Sequence, residues 1–323
     1  MATISRTAAK VFYYARNVVR DVAPQALFRS RLAARLAKAR LSDDVARRRL
    51  NFYNKLEDAF APSADAVPVS KLPFTPTMYY YDLKEFARYF DPGLLIDLEF
   101  GDVRDVPKVP SIVKDRPIRA GDSNAVIMKL DKFRHFQMPA DKISFADKLP
   151  AVVWRGDLNN PIRRRFLKAV RDLPFCDVGS HKPNAPAEYS KPFLSISQHQ
   201  RYRYIVSLEG NDVATNLKWI LSSKSLCLMP PPTYETWFAE SRLEPNVHYV
   251  PLETDFSNLA ERVAYFERHP EQAERIAAAA NAYCRTFADE QAEQAISLLV
   301  LYKYFVLSGQ IKPDAEVWRC ITG

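Results

Sequence analysis

Apolar residues recur at helical spacing at the start of the chain: Ala8, Val11, Phe12, Ala15, Val18, Val19 and Val22, with Arg and Lys on the other face. The pattern predicts an amphipathic helix, followed by an Arg-rich helical stretch over 27–41. Residues 61–77, rich in Pro, Ser and Ala, read as an irregular link. Between 78 and 150 short β-like runs mix with turns. Residues 126–130 read as a strand, and Pro107, Pro110 and Pro117 break the stretch before it. From 150 onward strands and helices alternate. Strand-like runs at 151–154, 204–208, 226–229 and 247–250 are interleaved with helical patterns. The first of these helices has Pro161 near its start and Phe166, Leu167 and Val170 as its buried stripe. Another is expected directly after Gly210, capped by Asn211 or Asp212, with Leu217, Ile220 and Leu221 inward. Helices are also expected at 259–268, 271–287 and 289–307. Alternation of this kind implies a parallel sheet flanked by helices, an α/β fold.

Composition adds limits. A chain of 323 residues, 47% hydrophobic, suits two domains better than one. The expected boundaries are 1–45 for a basic amphipathic segment, 46–149 for a first lobe and 150–323 for a second lobe carrying the C-terminal helices. Cys176, Cys227, Cys284 and Cys320 are widely spaced, which fits a reducing compartment better than a disulfide framework or a zinc site. No apolar run is long enough to span a membrane, and the arginines at the N-terminus do not suit a secretory signal. The expected location is cytoplasmic.

Charge is placed unevenly. Residues 1–50 carry twelve Lys/Arg against three Asp/Glu, and the rest carries 34 against 35. A neutral body does not suit a nucleic-acid partner. Two readings stand for the basic end: residues 1–40 dock on an anionic membrane surface, or they pack on the protein's own core with a solvated basic face.

In an open parallel sheet, ligands bind outside the carboxyl ends of the strands. Two of the eight glycines fall there, Gly156 and Gly210. Arg155 and Arg163 flank the first, and Lys218 follows the second. Two arginines, a lysine and a helix start could hold a diphosphate without a metal, and no D-x-D metal signature is present. Plain turn glycines and solvated arginines are the competing reading. Trp237 and Cys227 fit core positions, His248 a structural histidine, and His181 and His199 lack partners at metal spacing.

The stretch YRYIVSLEGNDVATNLK (202–218) resembles the signature of glycosyltransferase family 90. So do SLCL (225–228), YETWF (234–238), HYVPLETDFSN (248–258) and the earlier WRG (154–156) with Arg163. Likeness to the family's bacterial lipopolysaccharide core branch runs from Arg47 to Leu307, including KDRP (114–117) and LDKFRH (130–135). The family also includes fungal capsule-associated proteins and animal protein O-glucosyltransferases. The resemblance implies a GT-B architecture, two Rossmann-like lobes with a cleft between them. It implies inversion at the anomeric carbon, no metal, no cofactor beyond a nucleotide-sugar donor such as a UDP-sugar, and a glycan or lipid-linked glycan acceptor. Arg155, Gly156, Arg163 and the loop Gly210, Asn211, Asp212, Thr215 and Asn216 match its donor positions; animal members carry Arg where this chain has Asn216. Lys218 joins them through its charge, and Glu235 and Trp237 are placed to touch the ribose or sugar, the core position being the other reading of Trp237. The animal branch's catalytic aspartate falls here on Val126 or Ala125. The general base is therefore sought among Asp131, favoured, Asp122 and His135. The rival reading is a catalytically silent, membrane-docked nucleotide- or sugar-binding protein.

Overall fold

The computed structural model describes residues 6–38 and 44–322. The chain divides into two compact units, Met1–Phe133 joined by Asp289–Gly323, and Arg134–Ala288.

In Arg134–Ala288 five parallel strands form one sheet. They are β1 (Leu149–Arg155), β2 (Cys176–Gly179), β3 (Tyr202–Val206), β4 (Leu226–Met229) and β5 (Val250–Pro251), in the order β2-β1-β3-β4-β5. Successive side chains point to opposite faces. On one face Val152, Trp154, Val178, Tyr204, Val206, Leu226, Leu228 and Val250 make a core with Phe166, Leu167 and Val170 of helix Pro161–Val170. Leu259, Val263 and Phe266 of helix Leu259–Arg268 complete it. The alternate set, Val153, Ile205 and Cys227, is equally buried, and helices Leu217–Leu221 and Pro270–Arg285 pack against β4. A sheet covered on both faces explains why its strands read as continuous apolar runs.

Three elements differ from the sequence reading. β2 was not expected: its sequence CDVG has one large aliphatic residue, enough for a short edge strand but not for an apolar signal. Of the run expected at 247–250 only Val250 is in a strand, which continues to Pro251. The helix expected directly after Gly210 starts at Leu217 and has five residues. Asn216 holds its N-cap position, and neither Asn211 nor Asp212 caps it.

The other unit is built around helix Glu290–Leu307, buried without interruption from Ile296 to Phe305. A helix apolar all round must be surrounded. Helices Leu32–Lys38, Asp44–Tyr53 and Thr77–Ala87 pack on it. A small parallel sheet, Leu98–Glu99, Ser111–Val113 and Ala125–Ile127, belongs to the same unit. Polar clamps hold the central helix. Lys303 Nζ donates to Asn51 Oδ1 and to the Asn54 carbonyl, both at 2.9 Å. Glu293 receives Arg49 at 2.6 Å and Lys129 at 2.8 Å, all three nearly buried. These bonds are why the C-terminal helices belong with the N-terminal part and not, as the expected 150–323 lobe had it, with the five-stranded sheet.

Helix Arg6–Val22 sits on the same unit through polar groups. Tyr13 donates to Asp82 at 2.7 Å, Tyr14 pairs with Thr77, and Arg20 bonds Glu85 at 2.7 Å. Asp82 also accepts the backbone N–H of Lys132, at 2.8 Å. Of the expected 1–45 segment, residues 1–5 and 39–43 lie outside the described residues.

Glu293→Gln should leave two nearly buried cations facing a neutral amide. The expected loss is about 3–5 kcal/mol of unfolding free energy, measured by urea denaturation. A loss within experimental error would remove the clamp from the account of this unit.

Candidate functional site

The strand order β2-β1-β3 means that the chain leaves β1 toward one side of the sheet and returns on the other. Such a reversal opens a crevice at the carboxyl ends of β1 and β3. The loops there are 156–160 and 207–216, and helix Pro161–Val170 begins between them. Asn160 caps that helix: its Oδ1 accepts from Ile162 N–H at 3.0 Å, and its Nδ2 donates to the Gly210 carbonyl. Pro161 at the first position suits a helix start.

Arg163 lies in the first turn and bridges both loops. Its Nε donates to the Glu209 carbonyl at 3.1 Å, and its two terminal nitrogens to Leu208 at 3.2 Å and Asp157 at 3.4 Å. Three of the five guanidinium donors are thereby engaged, and the plane of the group is fixed. Burial lowers the Arg163 pKa from its ordinary value, while Asp157 and Asp212 pull it back up. Gly210 lets the guanidinium approach, since a Cβ there would stand 3.0 Å from it. Gly156 has a different task. A Cβ on it would fall 2.3 Å from the Trp154 ring, which packs edge-on against Phe166 at 5.7 Å.

The remaining donor candidates divide. Arg155 braces the sheet: it donates to the Asp177 carbonyl and carboxylate at 2.7 and 2.8 Å and to the Pro192 carbonyl at 2.9 Å. Lys218 is fully buried against Glu240 at 2.6 Å, between the rings of Phe136 and Phe238. It presents no surface to a diphosphate, which corrects the expectation from its charge. Glu240 also accepts Thr236 N–H at 2.6 Å, so the pair ties Leu217–Leu221 to the loop after β4. Asn216 is turned to β3, accepting from Ser207 at 3.1 Å and donating to the Val206 carbonyl at 3.3 Å. Asn211 and Thr215 are exposed, Asp212 is buried, and Glu235 is buried and accepts from Ser241.

Beside the crevice lies a small pocket. Val213, Leu217, Met229 and Pro231 give it apolar walls, with Ser207 and Glu209 as polar groups at its rim. Glu209 fastens that rim, accepting from Thr233 N–H at 2.9 Å, from its hydroxyl, and from Tyr234 N–H at 3.2 Å. Burial raises the Glu209 pKa, and the Thr233 and Tyr234 bonds offset part of this. Asn160 and Glu209 were not singled out from the sequence. The signal for Asn160 was present, an Asn-Pro pair opening an apolar helical stripe. Nothing local marked Glu209, whose partners lie more than twenty residues away.

The candidate bases are all buried. Asp122 accepts from Lys55 at 2.7 Å and from Arg116 at 3.1 Å, an ion-pair cluster. Asp131 is 1% exposed and takes the left-handed φ of 54°, a conformation that concentrates at functional positions when the residue is not glycine. His135 is 2% exposed and lies in the other unit. Trp237 and Cys227 are core residues. His199 Nδ1 meets the Ser195 carbonyl, and His248 Nδ1 accepts from Glu244 N–H. His181 packs edge-on against Phe193.

A family model described as Glycosyl transferase family 90 matches residues 124–307. The chain is 42% identical to O-glucosyltransferase LpsA of Dichelobacter nodosus over 304 residues, 92% of this chain and 96% of that protein. It is 31% identical to Protein O-glucosyltransferase 2 of Danio rerio over 93 residues, 29% of this chain and 18% of that one. Against Protein O-glucosyltransferase 3 of Homo sapiens identity is 33% over 78 residues, 24% and 15% of the two chains. The matched span contains the whole five-stranded sheet and the Arg163 crossing, and the chain belongs to glycosyltransferase family 90.

Proposed function

We propose that this glycosyltransferase moves a glucosyl residue from UDP-glucose to a hydroxyl of a lipopolysaccharide-core or capsule-type glycan, with inversion and without a metal. Family membership and the LpsA relative, an O-glucosyltransferase by name, support the sugar and reaction class. The observation that carries the donor site is Arg163. Three carbonyl bonds orient it, and two N–H groups remain for a diphosphate at the start of a ten-residue helix. A bound diphosphate offsets the desolvation that lowers the Arg163 pKa. The pocket at Val213, Leu217 and Met229 takes the nucleoside. The architecture proposed is GT-B, with the donor on Arg134–Ala288 and the acceptor on the other unit.

In the transfer, a base removes the acceptor hydroxyl proton as its oxygen bonds to the anomeric carbon. The bond from that carbon to the diphosphate oxygen breaks, and its electron pair leaves with UDP. Arg163 and the helix start stabilise the departing charge. Asp131 is proposed as the base. It carries the unusual backbone conformation, whereas Asp122 is already held by two cations.

Arg163→Ala should weaken UDP binding by about 1.5–3 kcal/mol in calorimetry, the scale of a hydrogen bond to a charged group. Unchanged affinity would take Arg163 out of the site. Turnover should persist in excess EDTA, because arginine and helix dipole supply the positive charge. Activity lost to the chelator and restored by manganese or magnesium would contradict that.

Asp131→Asn should keep the fold, since Asn tolerates a left-handed φ, and should keep UDP affinity while transfer falls about 10²–10⁴-fold. Transfer assays would run His135→Gln and Asp122→Asn beside it. Full activity in Asp131→Asn with collapse in His135→Gln would reassign the base. A wild-type protein that binds UDP yet transfers nothing to any glycan offered would support a silent binding protein instead.

A further inference from the structure

Helix Arg6–Val22 is mounted inside out. The side chains that seat it are Tyr13, Tyr14, Arg20 and Asp21, through Asp82, Thr77, Glu85, Tyr80 and Arg88. Its apolar stripe points the other way: Val11 is 63% exposed, Phe12 69%, Val19 67% and Val22 79%. Val18 and, in the next helix, Leu27 extend the same exposed set. A surface helix of a soluble domain does the opposite, burying its apolar stripe and solvating its polar one. Contiguous exposed apolar surface of this kind marks an interaction site.

Charge selects the partner. Residues 6–38 contain eight Lys/Arg and a single acid, Asp21, which is turned inward to Tyr80 and Arg88. Lys10, Arg16 and Arg31 are exposed. Lys10 and Arg31 have no carboxylate partner among the described residues, and Arg16 reaches Glu85 only at 3.7 Å with half its side chain in solvent. Two copies meeting through this face would bring two basic surfaces together. An anionic lipid surface instead accepts Val and Phe between its acyl chains and Lys and Arg at its phosphates. No described helix is long and apolar enough to cross a membrane. At 17 residues this one is about 25 Å long.

We infer that the outward face of helix Arg6–Val22 docks the protein on an anionic phospholipid bilayer, with Val11, Phe12, Val18, Val19 and Val22 inserted. The inference does not depend on the identity of the sugar donor or acceptor. The seat of the helix makes the docking rigid, because Asp82 holds Tyr13 and the Lys132 backbone at once.

The test is co-sedimentation of the full chain with vesicles of phosphatidylcholine plus phosphatidylglycerol, and with vesicles of phosphatidylcholine alone. Binding is expected to the anionic vesicles at about 50 mM salt and to weaken severalfold at about 500 mM, where charges are screened. The double variant Phe12→Gln, Val19→Gln keeps charge and helix propensity and removes two exposed apolar side chains. Its partitioning is expected to fall about tenfold or more, with unfolding midpoint and UDP affinity unchanged. Equal sedimentation of variant and wild type, or no binding by the wild type, would overturn the inference. So would a wild-type dimer that the double variant converts to monomer, which would give the face to a second copy. A failure of UDP binding in both proteins would count against the donor-site reading alone.

Discussion

A parallel sheet whose strand order reverses leaves a gap that no strand can fill. Between β1 and β3 the connecting chains depart to opposite faces, so the carbonyls at the two strand ends face each other without a ladder to join. In this protein a guanidinium stands in that place. Arg163 reaches the carbonyls of Asp157, Leu208 and Glu209, and Asn160 adds the Gly210 carbonyl. The same bonds that close the sheet's ends fix the plane of a cation there, and the proposed donor site rests on that by-product of satisfying the backbone. Gly210 is small because Arg163 lies against it; Gly156 is small because Trp154 does.

The sheet was legible because its strands are covered on both faces and punctuated at their ends. The runs at 151–154 and 226–229 stand out by composition alone, and Pro161 announces the helix between them. What escaped was of two kinds. β2 is an edge strand with Val178 as its sole large aliphatic residue, so burial left almost no trace in its sequence. The turn after Gly210 was read as a helix because Leu217, Ile220 and Leu221 carry helical spacing back toward it. The chain instead spends residues 211–216 folding Asn216 against Ser207.

Charged residues were the least legible. A lysine two turns beyond a strand end reads as a phosphate ligand, yet Lys218 is enclosed by Phe136, Phe238 and Glu240. Asp122 reads as a loop carboxylate, yet it neutralises Lys55 and Arg116. A charge in a sequence carries no mark of whether its partner is solvent, ligand or another side chain. Only the fold supplies Glu240 to Lys218, twenty-two residues away, or Glu293 to Arg49 across most of the chain. The family resemblance could name donor positions because it compares whole constellations, and it named no base, since the animal branch's aspartate position falls on Val126 or Ala125.

The helix Glu290–Leu307 gives the molecule an order of birth. Residues 134–288 emerge from the ribosome as one uninterrupted unit and can close their sheet as soon as β5 and the following helices appear. The part made first must wait. Helices Asp44–Tyr53 and Thr77–Ala87 have no central partner until residues 290–307 have been made, and Arg49 and Lys129 stand without Glu293 through that interval. Synthesis at about 5–20 residues per second makes the delay last many seconds. During that time the opening segment, with its basic, outward-facing helix, is available while its own unit is still incomplete.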